Sequence, residues 1–87
     1  MAMRSKIIIN AKGLSATTIA KIREIGKLTR KEFDPNMPRA YYRKRGNQFK
    51  ITGWPEFIKL LQQNLKAYFY RKKKMVVYER ICQTKIT

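Results

Sequence analysis

Lysine, arginine and tyrosine are the residues of this chain whose types and spacing could do chemistry, and that chemistry is the binding of anions. Arg43 and Lys50 fall where two strands of a hairpin would face each other, with Tyr41 and Arg45 at the same parity. A like-charge pair across two strands costs a sheet about 0.2 to 1 kcal/mol, so local folding does not ask for it. A phosphate lying between the two cations turns repulsion into charge-assisted hydrogen bonds, and Tyr41 can stack on a base or a sugar. The competing reading is an exposed strand edge kept from aggregating by its charges.

Tyr70, Arg71, Lys72, Lys73 and Lys74 make a second group, with Tyr68 and Phe69 just before it. Such a run also serves as a cap on a helix dipole or as a localisation signal, and the two aromatics preceding Tyr70 fit a core. The run gains specificity only if it lies on the same side of the molecule as Arg43 and Lys50. Arg30 and Lys31, together with Lys27 and with Arg39 beyond a proline-containing stretch, form a third basic group of the kind that wraps phosphate backbones.

Other chemistries lack their residues. The 87 residues hold 21 Lys and Arg against 5 Asp and Glu, no His and one Cys, a formal charge of +16. Zinc sites, His-dependent triads and Cys/His pairs cannot be built from that set. No GxxxxGK[ST] or GxGxxG loop occurs, so nucleotide hydrolysis is unsupported. Neither a metal nor a cofactor is called for. Cys82 cannot close an internal disulfide, which suits a reducing, intracellular setting, and it reads as a small apolar filler.

The apolar run Ile7-Ile8-Ile9 ends at Asn10, well short of the roughly 7 to 15 residues of a signal peptide or the 20 or so of a membrane span. Charge is spread evenly, with +8 on residues 1–44 and +8 on 45–87. There is no repeat, linker or low-complexity tract, and one basic domain over 1–87 is expected. A chain this short buries only about 60 to 65% of the surface that its unfolded form exposes, so the core is small.

The elements that must position the basic groups follow from local pattern. Lys6 to Asn10 is β-branched and reads as a strand. Ser15 is a natural N-cap, with Leu14 and Ile19 at the two positions of a hydrophobic staple. Ile19, Ile22 and Ile25 then mark a helix over 16–25 that Gly26 would stop. Lys27 to Arg39 reads as a loop, because Pro35 and Pro38 force extended backbone on the residues before them. A hairpin follows, Ala40 to Lys44 against Gln48 to Thr52, with Gly46-Asn47 as a type II′ turn. That register sets Arg45 against Gln48, Lys44 against Phe49, Arg43 against Lys50, Tyr42 against Ile51 and Tyr41 against Thr52. Ala40, Tyr42, Phe49 and Ile51 then share one sheet face, and Tyr41, Arg43, Arg45 and Lys50 the other.

Trp54-Pro55-Glu56 opens the second helix, whose apolar stripe is Trp54, Phe57, Ile58, Leu61, Leu65, Tyr68 and Phe69. Met75 to Ile81 is read as a last strand rather than more helix, on the strength of Val76, Val77 and Tyr78. The expected fold is a small α+β domain in the order β-α-β-β-α with a possible C-terminal strand. Its helices pack on one face of an antiparallel sheet.

No RNP aromatic signature, GXXG clamp, zinc finger or helix-turn-helix is present. The charge therefore carries the functional reading. A polyanion relieves the self-repulsion of +16, and the mix of cations with exposed tyrosines suits RNA or single-stranded DNA better than duplex DNA. The expectation is a non-enzymatic nucleic-acid-binding protein, free or within a ribonucleoprotein, whose affinity falls by about 10³ to 10⁵ between 50 and 200 mM salt if six to ten phosphates are engaged. The rival is a small inhibitor docking on the acidic surface of a nucleic-acid enzyme. Third comes peripheral membrane binding through Trp54 and Phe57. Exposed strand edges leave room for a homodimer.

Overall fold

The chain runs through β1 (Ser5–Asn10), α1 (Ala16–Phe33), β2 (Tyr41–Arg45), β3 (Gln48–Gly53), α2 (Pro55–Arg71), α3 (Met75–Ile81) and β4 (Cys82–Lys85). The computed structural model describes residues 4–36 and 41–86, with backbone alone for 41–44. The four strands form one antiparallel sheet in the order β2-β3-β1-β4. This is the β-α-β-β-α-β path of a split βαβ domain, with one short helix added before the last strand.

Alternation along β1 explains why the sheet takes a covering layer on one side. Ser5, Ile7 and Ile9 are fully buried, while Lys6 and Ile8 between them are half-buried. On β3, Phe49 and Ile51 pair with Ile9 and Ile7 and complete the inner face. From α2, Phe57, Ile58, Leu61, Leu65 and Phe69 close over them, at about 1.5 to 3 kcal/mol for each side chain fully removed from water. Tyr68 stands only at the margin of this core, and Trp54, the N-cap residue of α2, is 40% exposed.

The first helix begins as expected and ends later. Ser15 Oγ accepts from the backbone N–H of Thr18 at 3.2 Å, and Leu14 and Ile19 both pack against the core. Gly26 does not stop the helix, and Lys27 to Phe33, read as loop, are helical. Two contacts outweigh the roughly 1 kcal/mol that an interior glycine costs. Thr29 is buried, donating its hydroxyl to the Ile25 carbonyl at 2.6 Å and accepting from Asn64 Nδ2 of α2 at 2.9 Å. Phe33, one turn on, meets the rings of Trp54 and Phe57 at 6.2 and 6.1 Å. The helix ends at Asp34, which is extended before Pro35 as the proline demands.

Met75 to Ile81 is helix rather than strand. Val76 and Val77 favour a strand by a few tenths of a kcal/mol each, but a helix sets Tyr78 and Ile81 on one side, and both are buried. The last strand, expected at Met75–Ile81, lies instead after this helix at Cys82–Lys85 and pairs with β1. The hairpin has the predicted register throughout. Gly46 at its turn has φ 60 while Asn47 does not enter positive φ, the type II′ pattern. Ala40 and Arg39 lie outside the described residues.

Candidate nucleic-acid interface

The helices leave the other face of the sheet open. On it the central strands contribute Lys6, Ile8 and Asn10 from β1 and Gln48, Lys50 and Thr52 from β3, and β4 adds Gln83 and Lys85. By register, residues 41, 43 and 45 of β2 align with Thr52, Lys50 and Gln48. Residue 42 aligns instead with Ile51 of the inner face.

These pairings bring cations together. Lys6 faces Lys85 directly, as residue 43 faces Lys50, and directly opposed Cβ atoms stand about 4.5 to 5.5 Å apart. Lys6 is diagonal to Lys50, a separation of about 7 to 8 Å. Two like-charge cross-strand pairs therefore sit in one small sheet, each opposing its stability. The side chains on the central strands of this face are lysines, amides, Thr52 and Ile8. No aromatic side chain is among them.

The acidic residues are all elsewhere. Glu24 and Glu32 belong to α1, Asp34 follows it, Glu56 opens α2 and Glu79 is in α3. The strands hold Lys6, Arg43, Lys44, Arg45, Lys50 and Lys85 and no carboxylate at all. Glu24 pairs with Lys21 within α1 at 3.7 Å, leaving the open face unneutralised by it.

The remaining basic groups are distributed differently. Arg30 is half-buried and Lys31 exposed in the last turn of α1, on the helical side. Tyr70 and Arg71 end α2, Lys72 and Lys73 form the turn after it, and Lys74 caps α3. All five are exposed, yet they belong to the layer that covers the inner face and not to the face that carries Lys6 and Lys50. Sequence reasoning missed Lys6 and Lys85. Parity within Lys6 to Asn10 could have found the first, whereas Lys85 needed the pairing of β4 with β1.

A groove of about 400 Å³ lies between α2, α3 and β4, lined by Gln62, Lys66, Met75, Tyr78, Glu79, Cys82 and Thr84. Burial pushes the Cys82 thiol up to about 12, so it is not a thiolate at neutral pH. Burial and the neighbouring Cys82 also raise Tyr78, against hydrogen bonds from Thr84 and Gln62 that lower it. Among the described residues no cluster of His, Cys, Asp and Glu could hold a metal ion, and no helix is long and apolar enough to cross a membrane. No protein-family model matches the chain, and searches of curated proteins and solved structures give no significant match.

Proposed function

We propose that the protein is a non-catalytic nucleic-acid-binding domain whose open sheet face receives the phosphate backbone of RNA or single-stranded DNA. The observation that carries this reading is the one-sided distribution of charge: every acid is in or beside the helices, and the strands carry only cations. Two like-charge cross-strand pairs lower the stability of the sheet by about 0.2 to 1 kcal/mol each, and a bound polyanion reverses the sign of both terms. Lys6, Lys50 and Lys85 neutralise phosphates, with Arg43 and Arg45 extending the row along β2. Asn10, Gln48, Gln83 and Thr52 hydrogen-bond sugars and base edges. A flexible single strand can follow a twisted sheet from strand to strand, which a stiff duplex cannot do without bending.

The test is a titration of single-stranded RNA, single-stranded DNA and duplex DNA at 50 and 200 mM salt. Five phosphate contacts on a single strand predict an affinity loss of about 10² across that range. Lys6→Gln/Lys50→Gln should weaken binding to all sequences alike and flatten the salt slope by about one contact per lysine removed. Binding that is flat with salt defeats the reading. A stoichiometric complex with an acidic protein that survives nuclease treatment would replace it with the inhibitor reading.

A further inference from the structure

We propose that the turn joining α2 to α3 is a second polyanion contact, so that one copy of the protein bridges two nucleic-acid segments. The inference rests on the open sheet face being the first contact. The turn displays Arg71, Lys72, Lys73 and Lys74, all exposed, between two side chains that the core does not use: Tyr70, 73% exposed, and Val76, 75% exposed.

The backbone closes this turn without the side chains of Lys72, Lys73 and Lys74. Arg71 already answers the C-terminal end of α2, donating from Nε to the Ala67 carbonyl at 3.3 Å. Backbone bonds close the rest, from Lys73 N–H to the Tyr70 carbonyl at 2.9 Å and from Lys74 N–H to the Phe69 carbonyl at 2.8 Å. This is a Schellman closure, and its left-handed position, φ 56, belongs to Lys73 instead of the usual glycine. Lys73 thus occupies a position where its backbone is strained, with its side chain exposed.

Position turns this patch into a bridge. Phe57, Leu61 and Phe69 hold α2 against the inner face of the sheet, so its C-terminal turn and the open face belong to different layers. Tyr70 beside four cations is the arrangement that stacks on an unpaired base while holding the adjoining phosphates.

A biotinylated single-stranded oligonucleotide and a fluorescent one of the same sequence are mixed with the protein and captured on streptavidin. The backbone is RNA or DNA, whichever binds more tightly, and sedimentation first establishes that the protein is monomeric at the concentration used. The wild type should retain the fluorescent strand. Lys72→Gln/Lys73→Gly/Lys74→Gln should bind a single strand within about threefold of wild type but retain the second at least about tenfold less. Its melting temperature, expected at or above wild type because glycine relieves Lys73, shows that the variant is folded. Bridging that persists in this variant overturns the inference, as does a wild type that binds one strand and never captures a second. A wild type that binds neither strand overturns the proposed function, and the bridge with it.

Discussion

Ile7, Ile9, Phe49 and Ile51 alternate along two strands with Lys6, Ile8, Lys50 and Thr52, and the two sets live under opposite rules. The first set is 0 to 3% exposed and holds the domain together against the helices. The second set is half-buried, lies on the face away from the helices and concentrates like charge. One face is arranged for stability, and the other spends some of it. A sheet that needed both faces for folding would not place Lys6 opposite Lys85, because any neutral or acidic residue at either position would serve better.

The contrast can be broken first on the inner face. Ile9→Ala should destabilise the domain by about 2 to 5 kcal/mol, read by urea denaturation, without changing the affinity of the molecules that remain folded. Gly53→Ala comes next. A Cβ there would stand 2.6 Å from Phe57 Cδ2, so overpacking should cost about 1 to 3 kcal/mol, and Phe57→Leu in the same chain should recover part of the loss. Lys73→Gly should act in the other direction, stabilising by about 1 kcal/mol in the same denaturation experiment, because its left-handed backbone suits glycine. The smallest effect sharpens the comparison most. Lys85→Glu, facing Lys6, should stabilise the free protein by about 0.2 to 1 kcal/mol while weakening its binding to single strands. A side chain that helps binding at the expense of folding must show opposite signs in those two measurements.

The parts of the fold that were legible in the sequence are those fixed by near neighbours. Gly46 at the turn set the hairpin register residue by residue, and the spacing of Phe57, Ile58, Leu61 and Leu65 set α2. The parts that were not legible depend on distant contacts. Gly26 looks like a stop until Thr29 is seen bonded to Asn64, thirty-five residues away. Val76 and Val77 look like strand until Tyr78 and Ile81 are seen buried together in a helix. The same holds for the candidate site. Arg43, Arg45 and Lys50 were legible through the hairpin, but their meeting with Lys6 and Lys85 required the strand order β2-β3-β1-β4. Local pattern could not say whether the 71–74 run shares a side with the hairpin cations, and the layering of helices on sheet puts it in the other layer.

The central claim is that position, and not total charge, makes the open face a binding surface. It is tested most directly by two double variants with the same change in charge, compared in single-strand affinity at one salt concentration. Lys6→Glu/Lys50→Glu alters the open face, and Lys59→Glu/Arg80→Glu alters exposed cations of α2 and α3. Each phosphate contact is worth a fixed increment, whereas a remote charge is screened beyond about 8 Å, so the first pair should lose at least about tenfold more affinity than the second. Equal losses in the two variants would contradict the account and leave net charge alone as the cause of binding.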